Sequence, residues 1–123
     1  MLFRSEKRTV LIVDDDPQIL RLMEKMLRPH GVNILLAPRP SEALRICEQH
    51  PVHLIISGGI MPEMDGSKLA ERVLRLKPEA QVLLISGHDR GPHTPKSPRV
   101  HFLRKPFFPS VLIQILKELL PEV

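Results

Sequence analysis

Short uninterrupted apolar runs alternate along this chain with segments whose apolar residues recur at helical spacing. No other feature narrows the possible folds as much. Thr9 to Val13 (TVLIV), Val32 to Ala37 (VNILLA), Val52 to Ser57 (VHLIIS) and Gln81 to Ser86 (QVLLIS) are such runs, and Val100 to Leu103 is a fifth and shorter one. A strand with one wet face alternates apolar and polar residues; one that is apolar throughout is covered on both sides. Strands of that kind separated by amphipathic helices predict a parallel sheet with helices on both faces. Five strands in 123 residues fit the smaller doubly wound layout.

Local signals set the boundaries. Residues 1–8 (MLFRSEKR) read as a flexible leader, 9–120 as one domain, and 121–123 as a tail or the start of a linker. Asp16 is a good N-cap and Pro17 a good first helical residue. Ile19, Leu20, Leu22, Met23, Met26 and Leu27 then mark a helix that Pro29-His30-Gly31 stops. Ser41 is expected to cap a second helix carrying Ala43, Leu44, Ile46 and Cys47. Leu69, Val73, Leu74 and Leu76 mark a third, ended by Lys77-Pro78. Pro109 leads a last helix from Ser110 onward. Between the fourth and fifth strands, Gly87 to Arg99 (GHDRGPHTPKSPR) holds two glycines and three prolines, so no regular helix is expected there.

Composition excludes several classes. No apolar run approaches the roughly 18–20 residues that span a bilayer, and the polar, basic start is not a secretory signal. The single cysteine, Cys47, forms no internal disulfide; a reducing cytoplasm fits, and its place on an apolar helix face suggests core packing. Four Phe and no Trp or Tyr argue against a base-stacking surface. The net charge of +4 permits an acidic partner without demanding one, and nucleic acid is not expected as a partner of this domain. The histidines His88 and His93 lack a familiar ligand spacing and read as solvated.

In an open parallel sheet, ligands bind beyond the carboxyl ends of the strands. The first strand ends in Asp14 and Asp15, the third in Ser57-Gly58-Gly59, the fourth in Ser86-Gly87, and the fifth in Arg104-Lys105-Pro106-Phe107. Two carboxylates suit Mg²⁺, which takes one or two of them with water and phosphate. A lysine and a hydroxyl opposite suit phosphoryl oxygens.

The segments VLIVDDDP, LIISGGIMPEMDG, VLLISG and FLRKPF, in that order, resemble the receiver domain of two-component response regulators. The resemblance covers about Thr9 to Leu120. It implies a CheY-like, flavodoxin-like five-stranded parallel sheet of order 2-1-3-4-5, here with the family's fourth helix shortened or missing. It also implies a module that takes a phosphoryl group from a histidine kinase. On that resemblance Asp14 and Asp15 would hold Mg²⁺, Ser86 and Lys105 would bind phosphoryl oxygens, and Phe102 matches the aromatic that changes rotamer on signalling.

The departure lies at the centre. The phosphoacceptor aspartate of the pattern D-x-x-M-P falls on Gly58, which reads G-G-I-M-P. Glycine can neither accept a phosphoryl group nor ligate metal. Ser57 is expected to turn away, because successive strand residues face opposite sides. Lys105 is expected to bridge to Asp14 or Asp15 across the vacant position, and Mg²⁺ binding is expected to be weak. The resulting expectation is a pseudo-receiver, without enzymatic activity, working in the cytoplasm through a protein partner: a histidine kinase, another signalling protein or an output domain. The alternative is an ordinary Mg²⁺-dependent phosphoacceptor in which Gly58 is a recent or engineered replacement.

Overall fold

The computed structural model describes residues 7–59, 61–87 and 96–123. Strands β1 (Thr9–Val13), β2 (Asn33–Ala37), β3 (Leu54–Gly58), β4 (Gln81–Ser86) and β5 (Val100–Arg104) form one sheet. Their order is β2-β1-β3-β4-β5, every neighbouring pair parallel. The helices among the described residues are α1 (Pro17–Leu27), α2 (Pro40–Gln49), α3 (Gly66–Leu76) and α4 (Pro109–Leu119). This is the doubly wound order expected from the sequence. The expectation about a lost helix concerns mostly residues 88–95, which lie outside the described residues; at the described end of that segment, Pro98 and Arg99 form a turn into β5.

Strand parity divides the core in two. Leu11, Val13, Ile55, Val82 and Leu84 face α2 and α3 with Ala43, Cys47, Leu69 and Val73. Val10, Ile12, Leu54, Ile56, Leu83 and Ile85 face α1 and α4 with Leu20, Met23, Leu27, Leu112 and Leu116. Burial on both faces explains why the central strands β1, β3 and β4 are almost wholly apolar, while the edge strands β2 and β5 are only partly buried and carry Asn33, His101 and Arg104; each large side chain fully buried contributes roughly 1.5–3 kcal/mol.

Aspartates cap α1 and α3, whereas α2 and α4 start behind Arg39 and Phe108 without a side-chain cap. Asp16 caps α1, its Oδ1 accepting from the Gln18 N–H at 2.9 Å, with Pro17 in the first turn. Beyond α1 a 3-10 turn (Arg28–His30) leads to Gly31 at φ 74°, a left-handed position that glycine adopts without strain. Asp65 caps α3 by accepting from the Lys68 N–H at 2.8 Å. Ser41, however, is not the cap of α2. The helix begins at Pro40 behind the extended Arg39, which makes no side-chain cap. The open Ser41 N–H instead donates to Glu63 Oε1 at 2.7 Å, and the Ser41 hydroxyl to Glu63 Oε2 at 3.2 Å.

Candidate functional site

The carboxyl ends of β1, β3 and β4 and the start of the β5–α4 loop surround one cavity of about 370 Å³. Asp14, Asp15, Asp16, Gly58, Gly59, Ser86 and Lys105 are among the residues that line it. The structure thus brings Asp14, Asp15, Ser86, Lys105 and Gly58 together around one cavity.

The three aspartates divide their work. Asp16 spends its carboxylate on the α1 cap. Asp14 is half-buried, accepts from the Asp16 N–H through Oδ1 at 2.8 Å, and donates its own N–H to the Ala37 carbonyl at 3.2 Å. Burial pushes the Asp14 carboxyl above the ordinary aspartate range, and the charges of Asp15 and Asp16 push the same way. The Asp16 N–H and the Lys105 charge pull it back. Asp15 is exposed.

Gly58 ends β3 opposite Ile85 of β4. A Cβ built there would lie 3.2 Å from Asp14 Oδ2. Position 58 therefore aims at Asp14, and its glycine leaves that approach without a side chain. The loop behind it is tightly folded. Gly59 donates to the Ile85 carbonyl at 3.0 Å, and Gly66 donates to the Gly59 carbonyl at 2.8 Å. A Cβ on Gly66 would stand 2.5 Å from the Gly58 carbonyl oxygen, so the close approach requires glycine.

Neighbouring groups do not fill the gap. Ser57 is buried and donates its hydroxyl to the Gly58 carbonyl at 2.9 Å. Lys105 is held through its backbone N–H, which donates to the Ser86 carbonyl at 2.9 Å. The expected salt bridge from Lys105 to Asp14 or Asp15 does not form: neither aspartate pairs with a Lys or Arg among the described residues. Lys105 acts on Asp14 only through its field. Its exposed side chain gains little from a fixed pairing. Phe102 does not line this cavity; it is partly buried against the α2/α3 core, beside Leu84.

As a donor set, Asp14 and Asp15 fit a hydrated Mg²⁺, a cation that keeps several waters beside one or two carboxylates. No group of three or more His, Cys, Asp or Glu among the described residues is arranged as a metal cage.

Two features escape sequence reasoning. Glu63 ties the loop after β3 to the start of α2, a contact 22 residues apart in sequence. An apolar groove runs along α1, with Leu22 53% exposed. The six apolar residues of α1 make a stripe wider than its buried residues, Leu20, Met23 and Leu27, and that width was the available signal.

The response regulator receiver domain family matches residues 10–117. The transcriptional regulatory protein GlrR of Escherichia coli (strain K12) is 30% identical over 116 residues; the match covers 92% of this chain but only 26% of GlrR. The response regulator receiver protein CpdR of Brucella abortus is 28% identical over 116 residues, covering 92% of this chain and 97% of CpdR. The chemotaxis protein CheY4 of Vibrio cholerae superposes with a TM-score of 0.83 at 25% identity, covering 94% of this chain and all (100%) of that one. The strand order, the residues gathered at the strand ends and these likenesses agree: the chain belongs to the response regulator receiver domain family of two-component signalling.

Proposed function

We propose that this receiver works as a pseudo-receiver, a module whose state is not set by aspartyl phosphorylation and which acts by protein–protein interaction. One observation carries the reading. The position whose Cβ would face Asp14 at 3.2 Å is Gly58, so the cavity has no nucleophilic carboxylate where the family places one. Asp14 and Asp15 would hold Mg²⁺ weakly, since one ligand fewer is offered. Bound there, the cation would supply positive charge for phosphoryl oxygens. Ser86 and Lys105 line the same cavity and would present a hydroxyl and an ammonium to an anion. The partner would be a histidine kinase, another signalling protein or an output domain, and the module would be non-enzymatic and cytoplasmic. No helix among the described residues is long and apolar enough to cross a membrane, which accords with that placement.

The test is incubation with a small phosphodonor and Mg²⁺, read by intact mass. The chain is expected to keep its mass; an adduct of one phosphoryl group with acyl-phosphate lability would overturn the reading. The alternative, an ordinary phosphoacceptor with a replaced aspartate, draws support from the acidic pair, Ser86 and Lys105 still sharing one cavity. Gly58→Asp separates the two. An Asp there must displace the Asp14 carboxylate by a few tenths of an ångström. If the variant phosphorylates readily, the rest of the site is competent and the alternative gains; if it stays inert, the site has drifted further.

A further inference from the structure

Beside the acidic cavity lies a second one of about 370 Å³, at the small end of the range for small-molecule sites. Leu22, Met23 and Met26 of α1 line it, as do Pro106 and Phe107 of the β5–α4 turn and Pro109 at the start of α4. Apart from Ser57, whose hydroxyl is already spent on a carbonyl, the side chains with polar groups in its lining are Asp14 and Lys105. The two cavities are neighbours with a shared boundary: Asp14, Ile19, Gly58, Ile85 and Lys105 line both. A side chain at position 58 would rise at that boundary, toward Asp14 Oδ2. With glycine there, β3 contributes only backbone between the apolar groove and the acidic pocket.

The charge at the polar end selects the ligand. Three carboxylates, Asp14, Asp15 and Asp16, and one ammonium, Lys105, line the acidic pocket, and none of the three aspartates forms an ion pair with a described residue. The excess is negative and complements a cation. The groove beyond is apolar, and its two methionines are side chains that adapt to varied shapes. An inorganic cation would satisfy only the first half of this surface, and a fatty acid would bring the wrong charge to it.

We propose that the joined cavities bind a small amphipathic amine, its protonated head against Asp14 and Asp15 and its apolar body along Met23 and Met26. The proposal rests on the reading of the site as lacking a phosphoacceptor, since an aspartate at 58 would stand between head and body.

The probe is octylamine, titrated into the full chain carrying ¹⁵N backbone and ¹³C-methyl methionine labels, with octan-1-ol and octanoate as comparators. The Gly58 and Gly59 amides and the Met23 and Met26 methyls are expected to shift together and saturate. Octylamine should bind about tenfold more tightly than octan-1-ol, the gain of one charge-assisted contact, and Mg²⁺ should weaken it. Asp14→Asn should bring the amine down to the level of the alcohol, while Met26→Gln, on the partly buried rim of the groove, should weaken both alike. Equal binding of amine and alcohol overturns the proposal, as do shifts remote from these residues. Shifts that appear on raising the protein concentration alone, marking a second copy, also overturn it. So does a response confined to an amphipathic helical peptide, marking a protein partner. Phosphodonor treatment of the same sample keeps the two readings apart. An acyl-phosphate adduct overturns the pseudo-receiver reading and this proposal with it; no adduct together with no amine preference overturns this proposal alone.

Discussion

Asp14 meets opposed demands at the end of β1. Its position beside the sheet half-buries the carboxylate, and two further aspartates follow it, yet the nearest cation acts only at a distance. Burial and like charge both hold its pKa above the ordinary 3.8. Ionising Asp14 therefore costs the folded state more than the unfolded one. That cost is complete above the folded pKa and absent below 3.8, where the carboxyl is protonated in both states. Asp14→Asn removes the charge while its Oδ1 can still accept from the Asp16 N–H. The variant is expected to melt higher than the parent at pH 7, by no more than about 4 °C, because a half-exposed charge is worth at most about 1 kcal/mol. The advantage should shrink as pH falls through the folded pKa and vanish below 3.8. Melting curves from pH 3.5 to 7.5 check this, and a difference independent of pH would discard the account. At this scale the sequence was informative where chemistry depends on residue type. An aspartate run at one strand end and a glycine at another can be recognised in one dimension. The missing Lys105 bridge could not, because it depends on how far an exposed side chain reaches across the cavity.

Element boundaries were legible where the signal is local. Asp16-Pro17 marks the start of α1, and β4 runs over Gln81–Ser86 as its apolar pattern predicts. The start of α2 misled because serine is a favoured cap and Ser41 stands near a helix start. The helix instead begins at Pro40, two residues earlier than a Ser41 cap would allow; the proline ring suits the first turn, and the open N–H that follows is satisfied by Glu63 from the β3–α3 loop. A partner 22 residues away leaves no local pattern. Glu63→Ala should therefore cost about 1 kcal/mol, the usual worth of a helix cap. It should also speed hydrogen exchange at the Ser41 amide while leaving the amides of α3 unchanged. Glu63→Gln keeps an acceptor oxygen and should recover most of that loss. Denaturant midpoints and amide exchange read both effects, and wild-type exchange at Ser41 in Glu63→Ala would show the contact to be idle.

The whole molecule was legible because parallel sheets leave a strong trace: strands buried on both faces are apolar throughout, and the helices that cover them supply the intervening period. The sequence could not show which apolar residues stay uncovered. Leu22 repeats at the same helical spacing as Met23 and Met26, yet lies 53% exposed on the groove. The two cores lie on opposite faces of the sheet, fed by alternate residues of its strands. Leu11, on the α2/α3 side, and Leu112, on the α1/α4 side, are each fully buried, at 0% exposure. Truncating either to alanine removes contacts in a space that collapses only partly, at a cost of about 2–5 kcal/mol. Because β1, β3 and β4 contribute alternate residues to both cores, neither face can melt and leave the other its floor. Leu11→Ala and Leu112→Ala should thus each lower the midpoint reported by probes on α2 and by probes on α4 to the same extent, in one two-state transition. Leu22→Ala, in contrast, should shift it by less than about 0.5 kcal/mol. Urea unfolding followed at both faces decides the matter: transitions that separate, with one face surviving its mutated opposite, would mean two cooperative units where the shared sheet predicts one.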